Sequence, residues 1–244
     1  MAAFAPEVLT TIGSVPVTNT LVNTIFVDAV IFGGVYAVTK NLKRIPGMFQ
    51  NAVEYIIETM YNFIYSVANK NTPKIFPFVM SFFLFILIAN WSGLIPGITA
   101  MGLKEEGEKH LIPLMRNLTS DLNATLAFAI ISVVVTHYYS IKTIGIGQYL
   151  GRYVSINPIN FFVGVLEIVS EFTKVISLSF RLFGNIYAGE VVLLTTSSMF
   201  AFLLPVPFMM LEVIVGLVQA LVFSLLTMVF MAILMTPHKK GGDH

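Results

Sequence analysis

The sequence predicts an all-α integral membrane protein with about five transmembrane crossings, an interfacial amphipathic helix, and a last pair of helices forming a long, strongly tilted hairpin. Three observations lead there. Of 244 residues, 56% are hydrophobic and only 11% charged, with a mean hydropathy of +0.83, whereas soluble domains carry about 25% charged residues. Several apolar stretches reach the roughly 20 residues that a spanning helix needs. After Pro158 prolines are sparse, which leaves the chain free to form helices longer than a bilayer is thick. The chain reads as one membrane domain over 1–244.

The opening residues, MAAFAPEVLTTIGSVPVTNT, carry neither the basic region of a cleaved signal peptide nor the arginines of a transit peptide. Insertion is therefore expected to use the spans themselves. The first span falls at about 20–39, TLVNTIFVDAVIFGGVYAVT, interrupted only by Asp28. Residues 47–69 follow a different pattern. Phe49, Val53, Ile56, Ile57, Met60, Ile64 and Val67 recur at three and four, with Gln50, Glu54, Glu58 and Asn62 on another face. This is an amphipathic helix at the interface, although an ordinary packed helix edge gives the same periodicity. The next span, about 75–97, lies in the charge-free stretch from Ile75 to Leu103. Residues 120–141, SDLNATLAFAIISVVVTHYYSI, make another, with Asp121 at one end and His137 near the other.

From Pro158 the next proline is Pro205, and from Pro207 the next is Pro237. Helices over 157–199 and 207–236 would run roughly 60 Å and 45 Å at about 1.5 Å per residue. Such a length means either two spans in the first or strong tilt in both. Basic residues choose between these. Lys40, Lys43 and Arg44 follow the first span, Lys142 and Arg152 follow the 120–141 span, and Lys239 and Lys240 lie near the end. The turn at 198–207 has no Lys or Arg. In the 98–119 loop Lys104, Lys109 and Arg116 are interspersed with Glu105, Glu106 and Glu108. Five crossings put the N-terminus outside and the C-terminus inside, with the remaining basic clusters inside.

Glu167, Glu171, Lys174, Leu178, Arg181 and Asn185 are spaced by alternating fours and threes, which keeps them on one helix face. The carboxylates and the lysine can pair among themselves, Glu171 with Lys174 most directly. Arg181 is deeper, with Ser177 one turn before it and neutral Asn185 one turn after. A guanidinium stays protonated, and a charge in apolar surroundings is costly without a partner. Its partner is either a carboxylate of the same chain (Glu212, Asp121 or Asp28) or one on a different subunit. Intramembrane ionisable residues are functional by default. Glu212 and Gln219, seven apart, share a face of the last helix, and a turn near 200–206 brings Glu212 to the depth of Glu190. Two such carboxyls suit proton uptake and release; the alternative is a neutral hydrogen-bonded pair kept for packing. Asp121 and Asn123 head their span at the same level, where Asp121 is also a natural helix cap.

These residues carry a resemblance. SLSFRLFGNIYAGE followed by GLVQALVFSLLT resembles subunit a of the F-type ATP synthases, the stator proton channel of the Fo sector, in its bacterial form. The resemblance extends through NLTSDLNATLAFAI and NPINFFVGVLEIVSEFTKVIS. It implies an essential arginine at Arg181 facing the carboxylates of a c-ring, against which the final hairpin lies. It further implies that Asn185, Glu190, Glu212 and Gln219 line an outer half-channel, and that Glu167 and Ser177 lie toward an inner one; Asp121 and Asn123, at the outer level of their span, are placed on the proton pathway as well. Some members carry histidine at one of the Glu190/Glu212 positions, and here both are glutamate. The implied partners are the c-ring proteolipids, the subunit b stalk, the other synthase subunits and membrane lipid, in a bacterial plasma membrane.

Other classes fit poorly. There is no cysteine, hence no disulfide and no thiolate metal site, and no metal or cofactor is expected. No basic tract points to nucleic acid. A membrane hydrolase needs a nucleophile with its base, or a metal cluster; neither Gly-x-Ser-x-Gly nor His-x-x-x-His occurs. A secondary ion transporter or channel accommodates intramembrane charge, but such folds often show internal repeats and broken helices.

Overall fold

The computed structural model describes residues 7–13, 15–40, 42–95, 102–104, 111–153, 158–199 and 205–236. Apolar side chains on every face make the chain helical almost throughout, because only helices satisfy their own backbone groups in lipid. A short hairpin, β1 (Val8–Ile12) with β2 (Val15–Thr18), leads into α1 (Asn19–Lys40). Next come α2 (Met48–Ala68) and α3 (Thr72–Ser92). The short strands β3 (Gly102–Lys104) and β4 (Leu111–Pro113) pair antiparallel. Then follow α4 (Leu122–Ile144), a two-turn helix α5 (Ile146–Tyr153), the 42-residue α6 (Pro158–Met199) and the 30-residue α7 (Pro205–Leu234).

Several details depart from the sequence reading. The two hairpins add strands to an otherwise helical chain. The helix placed at 47–69 runs from Met48 to Ala68. α2 and α3 are separated at Asn69, whose φ of +48° breaks the helix; asparagine tolerates that region better than most residues. α3 starts at Thr72, not 75, because Pro73 occupies the first turn, where no N–H is required. It stops at Ser92, ahead of Pro96, so the expected end at 97 lies outside the described residues. α7 likewise starts at Pro205 and accommodates both Pro205 and Pro207 in its first turn. α5 has no counterpart in the sequence reading. Residues 105–110, the 200–204 turn and the terminal lysines Lys239 and Lys240 also lie outside the described residues.

Four segments among the described residues are long and apolar enough to cross a membrane: α1, the α2–α3 stretch, α4 and α7. α6 is not among them, since Glu167, Glu171, Lys174, Arg181 and Glu190 all fall within it. It nevertheless packs along α4 and α7 and completes the bundle. α6 and α7 run antiparallel: Gly189 meets Glu212, Arg181 meets Gln219, and Lys174 meets Phe230. Their central core joins Phe82, Phe83 and Ile86 of α3, Ala129 of α4, Leu178, Leu182 and Ile186 of α6, and Ala220 and Phe223 of α7. A second core, under the last turns of α7, ties Ile64 of α2 and Ile75 and Val79 of α3 to Met228 and Met231. Most of α2 stays exposed, including Phe49, Ile56 and Ile57.

Several polar groups buried between helices bond across them. Ser132 of α4 and Thr227 of α7 share a 2.8 Å hydrogen bond, and Ser140 Oγ donates to the Leu234 carbonyl at 2.7 Å. Asn90 Nδ2 donates to the Gly216 carbonyl at 2.9 Å, while its Oδ1 accepts from Thr119 Oγ1 at 2.7 Å. The neighbouring Trp91 Nε1 donates to the Val213 carbonyl at 3.1 Å. These bonds fix the stretch of α7 that carries Glu212 and Gln219.

Candidate functional site

α6 is covered on one side and open on the other. Leu178, Ser179, Leu182, Phe183 and Ile186 are buried, whereas Ser177, Arg181, Gly184, Asn185 and Ala188 are exposed. With 3.6 residues per turn, the charged stripe runs along the border between these sides. Arg181 falls on the open side. Leu178, which belongs to the same stripe by spacing, falls on the covered side and packs into the core.

The Arg181 Nη2 donates to Ser177 Oγ at 3.1 Å. Its backbone carbonyl accepts from Gln219 Nε2 at 3.0 Å, joining the middles of α6 and α7. Among the described residues Arg181 makes no ion pair; neither Glu212, Asp121 nor Asp28 is within salt-bridge distance of it. Asn185 lies one turn along, also on the open side.

Toward the Met199 end, Glu190 and Glu212 line one cavity of about 260 Å³ together with Asn23, Ser92, Arg116 and Asn117. α1, α3, the segment before α4, α6 and α7 all contribute to its wall. Glu212 is 8% exposed, and one oxygen of each carboxyl (Oε2) is buried without a hydrogen-bond partner among the described residues. Glycine at 189 makes this packing possible. A Cβ there would stand 2.6 Å from Glu212 Oε1 and 2.8 Å from its Cδ, so the carboxyl rests against bare backbone.

Asp121 is buried and caps α4: its Oδ1 accepts from the Asn123 N–H at 2.9 Å. The Asn123 side chain is exposed. Neither residue lines the Glu190/Glu212 cavity.

Toward the Pro158 end a second polar cluster joins α4, α5 and α6. Glu171 pairs with Lys174 at 2.7 Å, and its other oxygen lies 3.5 Å from His137 Nε2. His137 Nδ1 shares a 2.9 Å hydrogen bond with the Tyr149 hydroxyl. Glu167 pairs not within the stripe but with Arg152 Nε of α5, at 3.0 Å. Lys174 also sits 4.6 Å above the Phe230 ring of α7. Burial raises the Tyr153 hydroxyl above the ordinary tyrosine range, so it remains protonated.

The structure thus brings Arg181, Ser177 and Gln219 into contact, and Glu190 and Glu212 around one cavity. It sets Glu167 apart, about 21 Å along α6 from Arg181 at 1.5 Å per residue. Sequence reading missed Asn90 and Thr119, single polar residues in or beside an apolar span with no periodic partner. It also missed Arg152 and Tyr149 as partners, because GIGQYLGRY, with its three glycines, reads as a loop. Chemically, the arrangement offers a fixed cation on an open face, without an ion pair among the described residues, flanked at opposite ends of one helix by ionisable side chains.

Comparison with known proteins adds an independent line. Residues 21–232 match the family model of the ATP synthase A chain. Over 221 residues the chain is 32% identical to ATP synthase subunit a of Moorella thermoacetica, covering 91% of this chain and 92% of that one. The same-named protein of Geotalea daltonii is 36% identical over 195 residues, 79% of this chain and 76% of its own. ATP synthase subunit a of Legionella pneumophila strain Philadelphia 1 is 29% identical over 222 residues, or 91% and 88% of the two chains.

Proposed function

From the premise that this chain belongs to the ATP synthase A chain family, we propose that Arg181 is the essential stator charge of a proton-translocating subunit a. A member of this family is a multi-pass membrane component of the ATP synthase Fo sector and does not catalyse on its own. Here the open face of α6 is the surface that meets a ring of c subunits. Subunit b and the other synthase subunits hold the chain still in a bacterial plasma membrane, its N-terminus outside and its C-terminus in the cytoplasm.

One observation carries this. Arg181 is a permanent cation in the middle of α6 with no carboxylate of its own chain near it among the described residues, exposed on the one face no other helix covers. A buried-depth guanidinium without a partner is costly, so the partner comes from outside. Each c-ring carboxylate that passes Arg181 is held ionised by the fixed charge. Protons then cannot cross directly between the two ends of α6. They enter at the Glu190/Glu212 cavity, with Asn185, Gln219, Asp121 and Asn123 along the outer half-channel. They ride the ring on c carboxylates and leave past Ser177 and Glu167. Each charge that crosses releases about 2.3 kcal/mol per 100 mV, and ring rotation converts it to torque.

The test is Arg181→Ala in membrane vesicles carrying the assembled synthase. Coupled ATP synthesis and ATP-driven pumping should be abolished while passive proton flow rises. Retained coupled pumping would reject the role given to Arg181.

A further inference from the structure

We infer that His137 is a proton-exchanging residue at the Pro158 end of the α4–α6 interface, collecting and releasing protons on the inner face between Glu171 and Tyr149. The inference rests on the proton-translocating function proposed above and adds a residue that this function does not use.

The geometry comes first. His137 is the one imidazole among the described residues. Both of its ring nitrogens have a group to address: Nε2 lies 3.5 Å from Glu171 Oε2, and Nδ1 lies 2.9 Å from the Tyr149 hydroxyl. In the neutral ring, Nε2–H points to the carboxylate and Nδ1 accepts from the tyrosine O–H. When a proton arrives at Nδ1, the ring becomes imidazolium and Nδ1–H donates to the tyrosine oxygen. The hydroxyl hydrogen then turns away from the ring. In either charge state each ring nitrogen faces a group of matching polarity, and only one O–H rotor has to turn. A histidine kept only for packing needs partners in a single charge state, whereas this one has a group facing each ring nitrogen in both.

The surroundings fit the same task. From α5, Arg152, Tyr149 and Tyr153 face the cluster, and from α6, Glu167, Glu171 and Lys174 do. α7 contributes the Phe230 ring beneath Lys174. With His137 neutral, the two carboxylates balance Arg152 and Lys174, so one added proton gives the cluster a single extra charge. Glu171 is bridged, with one oxygen on Lys174 and the other toward His137. It therefore remains an acceptor for the imidazolium without needing to be protonated itself. The His137 side chain is 24% exposed, enough for water to reach it. Lys174 stands one turn from Glu171 on one side and one turn from Ser177 on the other, and Ser177 is the residue that touches Arg181. The cluster thus continues the α6 border stripe down from the open face. Of the side-chain types in this cluster, an unperturbed imidazole is the one that changes charge at physiological pH.

The experiment uses the whole synthase in inverted membrane vesicles, whose bath stands for the inner face. ATP-driven pumping takes protons from that bath. His137→Gln keeps a donor and an acceptor but cannot titrate. The quantity read is its pumping rate divided by the wild-type rate at each bath pH, per assembled complex, so that pH effects on ATP hydrolysis cancel. The ratio is expected to fall progressively as the bath is made alkaline and protons grow scarce. Added imidazole should restore His137→Ala selectively at the alkaline end. Tyr149→Phe removes only the hydroxyl and should show the same trend in weaker form; it decides the matter if the His137 variants do not assemble. A ratio that does not change with pH, whether near one or uniformly low, would overturn the inference and leave His137 a packing residue. Failure of the parent function would look different, because Arg181→Ala would then still pump.

Discussion

Glycine at 189 sets where the Glu212 carboxyl can be. Replacing it by alanine adds one methyl group, placed 2.6 Å from Glu212 Oε1 and 2.8 Å from Cδ. An ordinary contact begins at 3.4 Å, so the carboxyl must retreat by up to about 0.8 Å. The side chain is long and its carboxyl is the part in the way. The retreat therefore costs only the strain of an off-rotamer χ angle, about 0.5–1.5 kcal/mol. The fold should tolerate that, and the subunit should still assemble. Function should not tolerate it, since a displacement near 1 Å at a reacting group costs on the order of a hundredfold. Gly189→Ala is thus expected to leave synthase content in the membrane near normal while lowering ATP-driven acidification of vesicles by about ten- to a hundredfold, with no added leak. Glu212→Asp shortens the side chain by one methylene and makes room for the methyl. The double mutant Gly189→Ala/Glu212→Asp should therefore pump better than the product of the two single effects. Normal pumping in Gly189→Ala, or strictly multiplicative losses in the double mutant, would refute the view that bare backbone at 189 positions this carboxyl.

Other expectations can be checked with the same vesicles. Arg181→Lys should fail largely, because a compact ammonium does not reproduce the planar fork; near-normal pumping would count against guanidinium geometry. Glu190→Gln and Glu212→Gln should each lower the coupled rate and shift its dependence on pH at the outer face, here the vesicle lumen, without causing a leak. Their losses should be non-additive, as expected of groups around one cavity; additive losses with an unchanged pH profile would indicate two separate structural carboxyls. Asn90→Ala takes away one of the two acceptors of the Thr119 hydroxyl, leaving Asn117 Oδ1 at 2.9 Å, and removes the donor to the Gly216 carbonyl. It should destabilise the α3–α7 contact by about 1–3 kcal/mol, seen as a lower melting temperature of the detergent-extracted complex. Cysteines placed at Ala3 and Gly242 should be labelled from opposite sides of the membrane; labelling from the same side would rule out an odd number of crossings.

How much of this could be read from the chain depended on whether the signal was local. The membrane character and the amphipathic pattern of α2 follow from composition and three-four spacing, which need no knowledge of neighbours. That Arg181 and Ser177 share a helix strip followed from their separation by four. Which side of the strip other helices would cover did not, and so Leu178 was grouped with residues it turns away from. The Glu167–Arg152 pair was invisible because it depends on α5 folding back onto α6. Glycine-rich GIGQYLGRY gives little helical propensity, and Gly164 admits the approach: a Cβ there would run into the Tyr153 carbonyl. Asn90 is the same kind of case. One amide in an apolar span has no period, and its partners come from residues 119 and 216.

The central core has a consequence beyond holding the helices together. From Glu190 to Glu167 α6 extends for about 35 Å at 1.5 Å per residue. Between those carboxylates the covered side of the helix is filled by Leu178, Leu182 and Ile186 against Phe82, Phe83, Ile86 and Phe223, with Phe82 and Phe223 stacked 5.4 Å apart. Such apolar packing is a dielectric barrier, offering a proton no polar side chain to hop along. Under the function proposed above, the subunit would be two electrodes with an insulator between them, and the current would have to be carried around the outside by a moving part. A chain of this kind alone in a bilayer should therefore hold a voltage, and conduct only when something turns against its open face.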